Sequence, residues 1–203
     1  MKERPILFSG DMVRAILDGR KTQTRRILKS QAAKDCLIYH RPDGLYIWTT
    51  CGGVGVGLPF KCPYGRIGDR LWVRETWMCS TYDNYGQGPE TRIFFYRADQ
   101  WTEDDFIEWE KSNGKFPPTK WKPSIFMPRK ASRITLEITN VRFERLQDID
   151  DEQSGKEGIR YFKYKGPYCD PGKLIFKQLW ESINGTDSWD ANPWVWVIEF
   201  RQI

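Results

Sequence analysis

Residues 16–26 read ILDGRKTQTRR. Ile16 and Leu17 share helical spacing with Met12, Asp11 stands where an N-cap belongs, and Gly19 reads as the stop of that helix. Beyond the glycine, Arg20, Lys21, Arg25 and Arg26 crowd around Thr22, Gln23 and Thr24, and Thr22 to Leu28 reads as extended chain. A solvated basic face, a phosphate clamp and a lysine prepared to act as a base all fit this pattern. The third has a definite physical requirement. A free lysine titrates near 10.4, so lowering it to about 7–8 takes roughly 3–5 kcal/mol of differential interaction. Neighbouring cations and burial both act in that direction. A neutral Lys21 could then take the hydroxyl proton of Thr24. Positions i and i+3 point to opposite faces of a regular strand, so the chain must turn after Gly19 for the two to meet.

The rest of the chain narrows the chemistry. Its 203 residues suit one domain with insertions and allow a sizeable core. The hydrophobic fraction of 39% is modest, but aromatic residues make up 15%, with ten tryptophans available for core or base stacking. A net charge of +5 is compatible with an anionic ligand and too small to imply polyanion binding by itself. The start MKERPILFSG lacks the apolar stretch of a secretory signal, and no apolar run approaches the roughly 18 residues of a membrane span. A cytoplasmic protein without membrane contact is the expectation. Five cysteines without CxxC pairs read as reduced thiols. A zinc site from His40, Cys51, Cys62 and Cys79 would follow no standard spacing, and no cofactor is expected. His40, in the loop-like stretch YHRPDG, is the single histidine. Histidine-based triads and multi-histidine metal sites are therefore disfavoured, which leaves lysine or a carboxylate as base.

Periodicity organises the remainder. Pro5 to Ser9 reads as a strand, residues 29–66 as irregular with turns at RPDG and the glycine-rich CGGVGVG, and RLWVRETW after Gly68-Asp69 as a strand. GGVGVG lacks the spacing and lysine of a phosphate loop and reads as a loop or hairpin. Residues 78–132 look inserted, with the acidic amphipathic segment WTEDDFIEWEK and four prolines. ASRITLEITNVRFERL is strand-like with Ile134, Leu136 and Ile138 on one face. DIDDEQSGKEGI follows as a helix begun near Asp148 or Asp150, KLIFKQLWESI as an amphipathic helix, and PWVWVIEFRQI as a final strand. Strands separated by turns with a few helices predict an α+β fold, a small β-barrel flanked by helices. In RLWVRETW, Trp72 or Trp77 could stack a base while Arg74 or Glu75 reads its edge.

The segment from Gly19 to Arg26 resembles the GxKxxExR signature of the ASCH domain, a PUA-like barrel, with Thr24 where that signature often has glutamate. In its form GRKTQTRR it is similar to the small ASCH-fold enzymes that hydrolyse N4-acetylcytidine. The likeness continues through Thr135–Thr139, Leu146 and the acidic helix to Glu157, and through Val197–Phe200 and Gly68–Leu71, roughly half the chain. It implies Lys21 as proton acceptor, Thr24 as nucleophile and Glu157 as proton donor to the departing nitrogen, with Arg20 and Arg26 as substrate or oxyanion contacts. It also implies a single domain with insertions at 29–66 and 78–132, as in longer phage-type members. The expected substrate is a modified cytosine nucleoside, and no metal or cofactor is required. PUA-like barrels also bind RNA. The competing expectation is therefore an RNA-binding module or ribonuclease, with Arg14, Arg20, Arg25, Arg26 and Lys29 on phosphates and Trp72 or Trp77 under a base.

Overall fold

The computed structural model describes residues 1–29, 31, 37–41, 45–49, 55–82, 91–113, 120–160 and 171–203. It is an α+β fold. The main sheet has five strands: β1 (Glu3–Leu7), β2 (Gln23–Ile27), β6 (Arg70–Arg74), β9 (Thr135–Arg145) and β10 (Trp194–Gln202), in the order β1-β6-β9-β10-β2. β1 and β6 run parallel, and the other pairings are antiparallel. Two smaller sheets complete the strand inventory of the described residues. β3 (Leu37–His40), β4 (Tyr46–Thr49) and β5 (Gly55–Phe60) form one, and the hairpin of β7 (Trp77–Tyr82) and β8 (Thr91–Tyr96) forms the other. The helices are α1 (Gly10–Leu17), α2 (Glu103–Asn113), α3 (Asp151–Lys156) and α4 (Pro171–Asn184). No described helix is long and apolar enough to cross a membrane.

β10 shows why its sequence is apolar almost throughout. Successive strand side chains point to opposite faces. Trp196 and Ile198 enter a core with Ile6, Phe8, Val73 and Leu136. Val195 and Val197 enter a second core with Leu146, Ile149, Phe176 and Trp180. The strand is covered on both sides, by β1, β6 and α1 on one and by α4 on the other. Phe200 follows the same alternation into the first core, 6.1 Å from Phe8, and the register shift beside it passes over Thr139 of β9.

Strand pairing does not close the main sheet into a barrel: β1 and β2 are its two edges. A side chain spans the seam instead, as the Arg26 guanidinium donates to the Leu7 carbonyl at 2.6 Å. Three further expectations need correction. Residues 29–66 are not irregular, because β3 to β5 lie there and bring Trp48 into the first core. These strands are only four to six residues long, too short to show alternation, and β5 carries two glycines and a proline. His40 ends β3, its ring 4.7 Å from that of Tyr46, rather than sitting in a loop. The N-cap of α1 is Ser9, and Asp11 lies inside the first turn. The glycine-rich stretch is described only from Gly55 onward, where it is strand.

Candidate functional site

The turn after α1 is built by Gly19. Its N–H donates to the Ile16 carbonyl and that of Arg20 to the Ala15 carbonyl, each at 2.9 Å, which is a Schellman closure. Gly19 has φ +70°, open to glycine at little cost. The reversal leaves Lys21 outside β2, with its own N–H also on the Ala15 carbonyl at 2.9 Å. Lys21 therefore escapes strand alternation, which was the obstacle to its meeting groups beside Thr24.

Lys21 forms an isolated antiparallel bridge with Glu157, and the Thr22 N–H donates to the Lys156 carbonyl at 2.9 Å. Glu157 is placed by α3. Asp150 caps that helix by accepting from the Gln153 N–H at 2.7 Å, and Glu157 forms its C-terminal cap. The next residue, Gly158, has φ +92°, and a Cβ there would lie 2.8 Å from Ala15 Cβ and 3.2 Å from Lys21 Cβ. Only a glycine lets the turn approach α1 this closely. Arg20 holds the same turn, donating to the Gly158 carbonyl at 2.8 Å and to Asp18.

The side chains converge in a buried cluster. Lys21 Nζ donates to Glu157 Oε2 and to the Glu157 carbonyl, each at 2.8 Å, with the lysine side chain fully buried. Arg25, equally buried, donates to Glu157 Oε1 at 3.2 Å, to Glu144 at 2.9 Å and to Gln153 at 2.6 Å. Glu157 is thus gripped on both oxygens by cations. Burial pushes the Lys21 ammonium below its ordinary 10.5; the Glu157 charge opposes this, and Arg26 and Arg25 add to the lowering. Nζ makes two hydrogen bonds to protein. A neutral amine making those two keeps its lone pair in the third position, so this geometry suits a base.

Thr24 is buried on β2 opposite Ile198. Its hydroxyl has no hydrogen bond among the described residues. Thr24, Arg26, Tyr64 and Glu157 all line a cavity of about 240 Å³, whose other wall is the Phe176, Trp180 and Ile183 side of α4. A neighbouring cavity of about 410 Å³ reaches Glu157 from the α1 side, sharing Met12 and Leu179.

Lys21, Thr24, Glu157 and Arg26 are therefore brought together, and Arg20 supports them from the adjacent turn. Trp72, Arg74 and Glu75 do not line either cavity. Trp72 is buried on β6, and the Arg74 guanidinium covers its ring at 4.6 Å while bonding the Ile125 carbonyl. Glu75 lies beyond the end of β6, 1% exposed, paired with Arg133 at 3.0 and 3.1 Å. It fastens β6 to the start of β9 rather than reading a base edge. Trp77 is buried under Lys122 in a separate cluster with Met127 and Ala131. Glu144 and Gln153 were not singled out from sequence. A charged residue amid the alternation of VRFER and a polar one in an acidic helix carry no local signal of a shared arginine. No three described His, Cys, Asp or Glu side chains are arranged to hold a metal, and Cys51 lies outside the described residues.

In comparisons with known proteins, no family model, no curated protein and no solved structure matches this chain.

Proposed function

We propose that the protein is an ASCH-type, PUA-like amidohydrolase that cleaves the N4-acyl amide of an acylated cytosine nucleoside to cytidine and a carboxylate. The observation that carries this reading is the fully buried Lys21–Glu157 pair at 2.8 Å, beside a cavity that Thr24 and Glu157 both line. The GRKTQTRR resemblance supplies the substrate class.

The reaction balances on these groups. Neutral Lys21 takes the Thr24 hydroxyl proton as Oγ1 bonds to the acyl carbon, and the carbonyl π pair moves onto oxygen. Arg26, on the cavity wall, is placed to stabilise that oxyanion. Lys21 passes a proton to Glu157 Oε2 along their 2.8 Å contact. Glu157 delivers it to N4 as the carbon–nitrogen bond breaks, releasing cytidine and leaving an ester on Thr24. Water then attacks the ester carbon as Lys21 takes one of its protons, and the carbon–Oγ1 bond breaks with that proton returning to Thr24. The released acid ionises to the carboxylate and a proton passed to solvent. In such a relay Glu157 receives its proton from Lys21 during the reaction.

Of the five cations that the RNA-binding alternative would set on phosphates, three are engaged within the protein, which favours the hydrolase reading over it. Arg14 bonds Asp11 and the Ala98 carbonyl, Arg20 bonds Asp18 and the Gly158 carbonyl, and Arg25 is buried among Glu144, Gln153 and Glu157.

The test is turnover of N4-acetylcytidine, followed as cytidine release, in wild type and in Lys21→Ala, Thr24→Ala and Glu157→Ala. Each variant should lose about 10²-fold or more in kcat/KM while staying folded. Turnover should barely respond to salt, whereas RNA binding would weaken steeply. Undiminished turnover in Thr24→Ala would replace the acyl-threonine route by direct attack of water. No turnover of acetyl or larger acyl substrates by wild type would sink the reading.

A further inference from the structure

Arg26, partly buried, is the exception in a cluster where the fully buried cations are matched. Lys21 is paired with Glu157, and Arg25 with Glu144 and Glu157. Arg26 has no carboxylate partner among the described residues. Of its five N–H groups, one hydrogen bond is made, to the Leu7 carbonyl, and its Nε is buried without a partner. The Phe8 ring, 5.3 Å from the guanidinium carbon, offsets only part of the desolvated charge. A partly buried cation whose Nε is cut off from water without a partner is favoured by an anion that reaches it.

The cavity around Arg26 indicates what could. Arg26 lines it together with Tyr64, while Ile27, Phe176, Trp180 and Ile183 make much of the remaining wall apolar. The other charged groups there, Arg25 and Glu157, already face each other at 3.2 Å. One cation without a carboxylate partner, in a cavity of about 240 Å³ whose α4 side is largely apolar, suits a monoanion with an apolar body. A guanidinium fork matches a carboxylate in geometry and charge. Inorganic phosphate has no hydrocarbon part to place against the apolar side chains of α4.

We propose that this cavity is a binding site for free monocarboxylates, seated on Arg26 with the hydrocarbon part against α4. The choice of carboxylate rests in part on the proposed hydrolysis, which would generate such an anion within the same cavity. The carboxylate product would then act as a competitive inhibitor, and more strongly as its apolar part grows.

The experiment is calorimetric titration of the full chain with acetate, butyrate, benzoate and inorganic phosphate at constant ionic strength. Saturable one-to-one binding should tighten from acetate to butyrate by about fourfold for each buried methylene, from ~0.8 kcal/mol per methylene. Benzoate should bind more tightly than acetate, and phosphate more weakly than benzoate. Arg26→Gln should weaken benzoate at least tenfold. Because that substitution also removes the contact across the seam, Ile183→Asp is a second test. Ile183 is 54% exposed on the cavity rim, so the variant should fold, and its negative charge should also weaken benzoate at least tenfold. Absence of saturable carboxylate binding, tighter binding of phosphate, or unchanged affinity in folded Arg26→Gln and Ile183→Asp would each overturn the proposal. Carboxylate binding without turnover would keep this site and remove the hydrolase reading. Turnover without carboxylate binding would do the reverse.

Discussion

Lys21 is set by an imbalance between what burial costs it and what its partners return. Desolvation favours the neutral amine, the Glu157 carboxylate favours the ammonium, and the arginines on β2 tip the sum further toward neutrality. The folded protein therefore binds fewer protons at this position than the unfolded chain between the lowered value and 10.5. Stability contributed through Lys21 rises with pH across that window. Urea midpoints measured from pH 7 to 10 should climb more in wild type than in Lys21→Met. The proposed base works only when neutral, so kcat/KM should rise with pH and level off below 10.5. Lys21→Arg, which stays charged, should lose about 10²–10⁴-fold at every pH. A wild-type rate flat from pH 6 to 10 would remove Lys21 from the role of base. None of this was readable from Lys21 alone, because burial belongs to the folded chain.

The elements that deliver these side chains are short, and their ends matter more than their middles. α1 stops at a glycine whose left-handed φ turns the chain, and α3 begins at an aspartate cap and ends on Glu157. These signals were legible: Gly19 as a stop and Asp148 or Asp150 as a start follow from cap chemistry, and the structure selects Asp150. Gly158 was not, because its constraint comes from Ala15 and Lys21, far away in sequence. Gly158→Ala would place a Cβ 2.8 Å from Ala15 Cβ at a φ of +92°. Backbone strain and overpacking together should cost roughly 2–4 kcal/mol, read as a lowered urea midpoint. The variant should also lose turnover more than ligand affinity, because the displaced neighbour is Lys21 rather than the cavity wall. A neutral Gly158→Ala would mean that the α1–α3 contact yields more easily than this packing implies.

Across the molecule, the first residues are tied to the body through Asp69. Its carboxylate accepts from the Lys2 N–H and Arg4 at 2.8 Å each and from the Arg66 N–H at 3.4 Å, which joins β1, the preceding loop and β6. Burial alone would raise this carboxyl, but the Arg4 and backbone hydrogen bonds outweigh it and hold the group at about 2. With a lowered native value, its contribution is present above the unfolded value of 3.8 and lost as pH falls through about 2. Asp69→Asn should therefore cost roughly 1–2 kcal/mol at pH 7, measurable by urea unfolding. Between pH 4 and 2 its stability should fall less steeply than that of wild type. Parallel curves would show that Asp69 is not the acid-sensitive clasp.

Local patterns were enough for the pieces whose cause is local. Ile134, Leu136 and Ile138 share a face because strand side chains alternate, and all three are buried. The run WVWVIEF is apolar because β10 meets a core on each side. The motif GRKTQTRR singled out Lys21 and Thr24 from residue type and spacing. Long-range contact settled the rest. Glu157, in SGKEGI, reads as a solvated glutamate until folding brings it 2.8 Å from a lysine 136 positions earlier. The same holds for RLWVRETW, whose alternation suggested a base-reading face. Arg133 draws Glu75 into a buried pair, and Arg74 covers Trp72. Periodicity records which face of an element is buried, whereas pairing between distant elements depends on chain reversals and packing that no single segment contains.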